Sequence, residues 1–378
     1  NAYFDYWWGI DNVRIIENHY ASTADVTTST AASVTSSSAE SGGEVINDGG
    51  VSVTARGVCW STIPNPTTVD SYTLDGTGSG SFVSAITGLS GNTKYYYRAY
   101  ATNSMGTAYG NEFSFWTLPQ SSLPPGSGTQ GDPYFISSLA ELNWISITPS
   151  SWSSYFIQTA DIDASGTLNW NSGEGFSPIG TGSLFIGNYN GQGYEIDGLY
   201  INRPTTDNQG LFGPSNYPAS IINLGLTNVD VTGQNQTAGL LGSGYYTHVS
   251  DCYVMGAVTG GNNVGGLVGL CQYYSTVNNC YSSGNITGGY YIGGLTGTCF
   301  DDVIISNCSS SININAYQNG GGLVGYFYNS NINNSYAVGN VFSNSYGGGL
   351  VGSIVAAVVN NSYCTGTVSG SSAIGGFA

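Results

Sequence analysis

A short string, Gly-Gly-Leu-Val/Thr-Gly, recurs at 265–269, 293–297, 321–325 and 348–352. Looser copies stand at 238–242, 209–213 and from Gly375 onward. The central apolar residues are Leu211, Leu240, Leu267, Leu295, Leu323, Leu350 and Phe377, spaced 29, 27, 28, 28, 27 and 27. A second box keeps step with the first: Asp251-Cys252-Tyr253, Asn279-Cys280-Tyr281, Asn307-Cys308-Ser309, Asn334-Ser335-Tyr336 and Asn361-Ser362-Tyr363. Val249, Val277, Ile305, Ile332 and Val359 precede it, and Val258, Ile286, Ile314, Val341 and Val368 follow it. Columns that stay in register across five copies point to a solenoid, in which each unit packs on its neighbours.

The repeat length and composition select the kind of solenoid. Leucine-rich repeats need several Leu and an Asn at fixed offsets, whereas these units carry one Leu each. Gly, Asn, Ser and Thr dominate and disfavour helix. Short apolar runs between Gly and Asn favour strands and turns, and three short strands with their turns use about this many residues. Stacking such coils at about 4.8 Å builds a parallel β-helix. Equivalent residues then lie above one another: Leu240, Leu267, Leu295, Leu323 and Leu350 form one core ladder, and Cys252, Cys280 and Cys308 another. Asp251, Asn279, Asn307, Asn334 and Asn361, with Asn223 one coil earlier, read as an amide ladder at a turn. Flanking glycines are expected to permit tight corners. Like charges would stack on one another in any such column, which accounts for residues 204–378 holding no Lys, Arg or Glu.

The first half differs. All five basic residues lie at or before Arg203. Residues 1–20 read as the closing strand of a preceding domain, with Ile10, Val13 and Ile15 alternating after Trp7 and Trp8. Residues 21–118 carry short alternating runs separated by turn residues, the pattern of a β-sandwich. Strands are predicted over 53–60, 80–86, 95–102 and 112–117. Residues 119–131, with Pro119, Pro124 and Pro125, predict a linker. Residues 132–378 are assigned to the β-helix. Within them Leu139, Leu142, Trp144 and Ile147 predict a short amphipathic helix, capped by Ser137 or Ser138, as the solenoid's end cap. Both ends of the sequence look cut from a longer polypeptide. The fold class is therefore all-β, a sandwich followed by a parallel β-helix.

Several of these segments resemble known families. Residues 1–20 resemble the last strand of jelly-roll modules of secreted bacterial proteins. Leu89-Ser90-Gly91-Asn92-Thr93-Lys94-Tyr95, with Arg56–Ser61 and Tyr97–Asn103, resembles the tyrosine-corner region of fibronectin type III domains. The Gly-Leu-apolar-Gly core resembles the GLUG motif, and the resemblance runs from about Gly126 to the end. It includes Phe176–Gly180 and Asn190–Leu199, and departs at Pro214 and Ala238. Together these imply a modular surface adhesin of the Bacteroidetes type, including gliding or biofilm adhesins, secreted to the cell surface and joined to further domains on both sides.

Composition narrows the function classes. With 22 Asp and Glu against 5 Lys and Arg, the formal net charge is −17, which removes the electrostatic footprint of a nucleic-acid binder. No run of about 18 apolar residues is present to span a bilayer as a helix. Seven cysteines invite pairing. Parallel Cβ vectors in adjacent coils leave the Cβ atoms slightly too far apart for a bridge, so buried free thiols are expected, with Cys271 and Cys299 as a second column, Cys59 in the sandwich core and Cys364 off both columns. His248, Asp251 and Cys252 lack a converging second cluster, and Asp161 with Asp163 reads as a solvated turn; no metal and no cofactor is expected. Asp301-Asp302 resembles the carboxylate pair of pectin-cleaving hydrolases, but no Lys or Arg follows Arg203 to bind a uronate, and a corner is expected there. No catalytic residue is assigned. The candidate ligand-binding residues are Tyr253, Tyr281, Tyr336 and Tyr363, turned outward by strand alternation beside the inward Cys/Ser column. Tyr245, Tyr246, Tyr273, Tyr274, Phe300, Phe327 and Tyr328 add rings after the Gly-Leu boxes. Stacked tyrosines stabilise an outer face, and exposed rings also suit sugars and interfaces. The sequence thus predicts a non-enzymatic stalk or adhesin for glycans, cells or surfaces, with a purely structural filament or spacer as the competing class and polysaccharide cleavage as a remote one.

Overall fold

A computed structural model describes residues 20–375, and the chain separates into two compact units at Leu118/Pro119. The strand expected within residues 1–20 falls, but for Tyr20, outside the described residues, as does Phe377.

The first unit is a sandwich of two antiparallel sheets. Asp25–Thr28, Ser38–Asn47 and Gly80–Thr87 form one; Ser71–Tyr72, Ala55–Ser61, Lys94–Asn103, Gly106–Tyr109 and Phe113–Trp116 form the other. Alternation drives the layering: Phe82, Ser84 and Ile86 are buried while Val83 between them is exposed. Val45, Val58, Ile86, Tyr97 and Ala99 meet in the core. Gly49 and Gly50 take the left-handed backbone that closes the turn after Asn47. Burial pushes the Cys59 thiol up to about 11.

The second unit is a β-solenoid of about seven turns. Its strands form three parallel sheets whose coil-to-coil register pairs equivalent residues, with one shift between Leu226 and Val229. One coil shows the plan. His248–Ser250 lies on the first face, Tyr253–Thr259 and Asn262–Gly265 on the second, and Val268–Gln272 on the third. Leu211, Leu240, Leu267, Leu295, Leu323 and Leu350 are fully buried, and Leu267, Leu295 and Leu323 each donate a backbone hydrogen bond to the carbonyl of the next leucine down the stack. The apolar columns do not share one interior. Val249, Val277, Ile305 and Ile332 line the main core with the leucines. Val258, Ile286, Ile314 and Val341 form a second, smaller core with Val264, Ile292 and Ile312 where the second face widens.

The motif glycines act differently from the sequence expectation. Gly266, Gly294 and Gly322 are absent from the left-handed region; a Cβ on any of them would run into the carbonyl of the equivalent glycine one coil on. Close approach of stacked backbones, rather than a tight corner, requires glycine there. The corners are made by other residues. Asn223, Asp251, Asn279, Asn307, Asn334 and Asn361 all have φ of 49–54°. Two further left-handed columns follow: Asn208, Gln236, Asn263, Tyr291, Asn319, Tyr346 and Ala373, then Tyr246, Tyr274, Asp302, Asn329 and Ala356.

The helix Leu139–Ile147 begins with a reciprocal cap. Ser138 Oγ accepts from the Glu141 amide, and Glu141 Oε2 accepts from the Ser137 amide at 2.7 Å. Its buried face is Leu142 and Ile145; Ile147, expected on that face, is 57% exposed, because it lies at the end of the helix, away from the coil that Leu142 and Ile145 cover. The proline-rich stretch expected as a linker is fastened to this cap: Ser122 donates to the Ala140 carbonyl, and Asn143 Nδ2 to that of Gln120. Pro214 lies in Phe212–Ser215, the edge strand of the third sheet, and Ala238 pairs in register with Gly265, so neither disturbs the stack.

Candidate functional site: the outer tyrosine column

The second face begins with an outward column. Successive strands place Gly225, Tyr253, Tyr281, Ser309, Tyr336 and Tyr363 at one register position. The column is two stacked pairs, not a continuous stripe. Tyr253 and Tyr281 lie face to face with centroids 4.7 Å apart and planes 5° from parallel, and Tyr336 and Tyr363 follow at 5.2 Å and 7°. Ser309 interrupts them. Tyr281, Tyr336 and Tyr363 are 41%, 38% and 52% exposed. Tyr253 leans toward the preceding coil over Gly225, where a Cβ would strike its ring, and its hydroxyl donates to the Glu195 carboxylate. Burial, then Glu195, pushes the Tyr253 and Tyr281 phenols above their ordinary value.

The amide ladder borders this column at the left-handed corner. Asn279 donates to Asp251 Oδ1, Asn334 to Asn307 Oδ1, and Asn361 to Asn334 Oδ1. Asn223 stays outside the run, its Nδ2 donating to Asn190 Oδ1, and the run itself breaks at Asn307, whose Nδ2 turns to Asn278 Oδ1 instead of to Asn279. Backbone groups at the bend pair with backbone of the next coil, as Asn279 N does with Ser306 O, so the side chains link coils and do not cap the main chain.

Between tyrosine and amide the inward column is Cys252, Cys280, Cys308 and Ser335, all buried, and its three cysteines form no disulfide. Each thiol lies 3.1 Å from the carbonyl two residues earlier, that of Ser250, Asn278 and Ser306, and Ser335 Oγ donates at 2.8 Å to Asn333 O. The column therefore selects a small hydrogen-bond donor as well as a small volume.

A second aromatic surface forms around the third face. Tyr245 and Tyr246 stack on Tyr273, and Tyr246 on Tyr274. Phe300 contacts Tyr326 and Tyr328, and Tyr326 reaches Tyr291. Phe327, grouped with these rings by sequence, is fully buried, because alternation on Val324–Tyr328 puts it in the Cys271/Cys299 core column. Tyr291 and Tyr326 escaped sequence analysis; only their register reveals them.

The remaining polar candidates do not assemble. Asp301 and Asp302 occupy the left-handed corner with φ of 59° and 62°. His248 bonds Thr276 at 2.6 Å on an exposed edge, while Cys252 points into the core. Asp161 accepts from the Glu195 amide, and Asp163 is held below the usual carboxylate range by hydrogen bonds from Ser165. Among the described residues no three His, Cys, Asp or Glu side chains converge. A shallow cleft of about 220 Å³ over the first coils is lined by Tyr155, Ile157, Asn188, Asn190 and Ser220, without a charged group.

Comparison with known proteins places the GLUG motif on residues 260–287. Halomucin of Haloquadratum walsbyi is 38% identical over 153 residues, 39% of this chain and 2% of that protein. A putative Gly-rich membrane protein of Evansella cellulosilytica is 33% identical over 139 residues, 36% of this chain and 14% of that protein. The chain thus spans a small part of either relative. Among solved structures, an IgA1 protease aligns over 87% of this chain and 28% of its own length at 17% identity, with a TM-score of 0.48.

Proposed function

We propose that this chain is a non-enzymatic segment of an extracellular surface protein, whose solenoid presents an aromatic adhesive face to glycans or solid surfaces. The carrying observation is the in-register pair of tyrosine stacks, with flat rings exposed beside a hydrogen-bonding amide ladder. Rings held face to face by their own backbone lose little side-chain entropy on binding, and their faces suit the C–H faces of sugars. A GLUG motif, and relatives named halomucin and putative Gly-rich membrane protein, support a surface setting. The sandwich is read as a fibronectin type III-like spacer. That reading is supported by its division into three and five strands and by the Ser90 amide bonding the Tyr95 hydroxyl from five residues upstream, the contact of a tyrosine corner.

Binding to a glycan array and to polysaccharide-coated surfaces tests the proposal. The expected result is retention that falls about tenfold in Tyr281→Ala/Tyr336→Ala. Retention by no sugar or surface would leave the structural-spacer reading, in which coil stacking is the whole purpose.

A further inference from the structure

The break in the tyrosine column lies beside the break in the amide ladder. Tyr281 and Tyr336 stand on either side of Ser309, two strand spacings or about 9.6 Å apart along the stack. One ring is missing between two stacked pairs. Beside that gap Asn307 has turned away to Asn278, so the Asn279 side-chain oxygen receives no amide from the coil below. Ser283 and Ser311, paired in register two residues along the strands, flank the opposite side, and exposed Val338 stands two residues beyond Tyr336 in the next coil. The gap has aromatic walls, a hydroxyl floor, an amide rim and a hydroxyl rim. The carboxylates of this face stand away from it, Asp251 above Asn279 and Glu195 above Gly225, so no charge faces the opening.

Resting on the adhesive reading, we infer that the gap over Ser309 is a binding slot for one neutral pyranose with equatorial hydroxyls, the β-gluco type, inserted between Tyr281 and Tyr336. Such a ring offers C–H to both aromatic walls, and its hydroxyls radiate in the ring plane. They then meet Ser309 at the floor, the Asn279 oxygen on one rim and the serines on the other. A sugar with an axial hydroxyl would press a polar group on one tyrosine face. A uronate would bring a charge to a site with no cation, since none follows Arg203.

The distinguishing variant is Ser309→Tyr. It places in this coil the residue that four neighbouring coils already carry at the same position, so folding is expected to persist, and it fills the slot while adding an exposed ring. Wild-type protein titrated with methyl β-D-glucopyranoside should show saturable binding, with the sugar ring protons shifted upfield by the two aromatic faces. Ser309→Tyr should weaken it about tenfold or more, and methyl α-D-mannopyranoside should bind the wild type about tenfold more weakly. Equal or tighter glucoside binding by Ser309→Tyr would overturn the slot while leaving the adhesive face in place. Absence of saturable glucoside binding by the wild type, or equal binding of the mannoside, would overturn it as well.

Discussion

Backbone handedness decides much at the scale of single residues. Each coil bends through left-handed positions that ordinary L-residues reach at a cost of about 1 kcal/mol, with Asn the least penalised after Gly. The first corner column is filled with Asn and Asp from Asn223 to Asn361, but Ala356 and Ala373 occupy equivalent positions in the other two with φ of 51° and 50°. Ala356 is exposed and follows Asn329 in its column. Ala356→Asn should therefore raise stability by roughly 0.5–1 kcal/mol. Urea unfolding would read this as a higher midpoint at constant slope, and an unchanged or lower midpoint would contradict the account. The Asn column was legible in sequence because the chemistry repeats. The other two were not, because Tyr246, Tyr274 and Tyr291 mark the same bend with residues that signal nothing about φ. Serine at 335 and 362 hinted that the cysteine column was not purely apolar, and the shared bond to the carbonyl two residues back explains the exchange.

At the scale of the coil, the leucine ladder is the element that stacking depends on. Leu295 is fully buried, with equivalent leucines directly above and below it. Leu295→Ala should cost about 2–5 kcal/mol, since main-chain bonds to both neighbours limit collapse of the cavity. Adjacent losses should couple. Leu295→Ala with Leu323→Ala should depart from additivity by about 0.5–3 kcal/mol, whereas Leu240→Ala with Leu350→Ala, four coils apart, should add to within about 0.5 kcal/mol. Denaturant titration of the four single and double variants measures both, and additivity in the adjacent pair would argue against nearest-neighbour stacking. The 27–28 residue period was enough to read the coil and its ladder. It did not separate the main core from the smaller one around Ile286 and Ile314, because both columns are β-branched and only the widening of the second face divides them. The helical stripe was misjudged at Ile147 for a similar reason: period alone names a face, and the coil that covers it fixes where the face ends. The tyrosine column was found by alternation, but its division into pairs by Ser309 acquires meaning only from the ring geometry.

Across the solenoid, one consequence of stacking like on like is a line of thiols that cannot ionise without disturbing one another. Burial, and the neighbouring Cys252, push the Cys280 thiol above its ordinary value of 9.0. Hydrogen bonding to Cys280, then burial, does the same for Cys308, and the Cys299 thiol, then burial, for Cys271. The sign follows from linkage. These groups are neutral in both states below pH 9, so their contribution to stability is complete there. Above it the unfolded chain releases their protons while the folded chain holds them, so the unfolded state gains and stability falls by about 1.4 kcal/mol per pH unit for each thiol. Three such groups give roughly 4 kcal/mol per unit as a limiting slope. The phenols of Tyr189, Tyr253 and Tyr281 are raised from an ordinary 10.0, so their loss is centred about one pH unit above that of the cysteines. Urea unfolding under reducing conditions should show a flat plateau from pH 7 to 8.5 and a steep decline through pH 10. Cys280→Ser/Cys308→Ser should fold, because serine already stands at 335 and 362 in that column, and should show a shallower decline between pH 9 and 10. An identical alkaline slope in that variant would mean the stacked thiols are not what couples this molecule to pH.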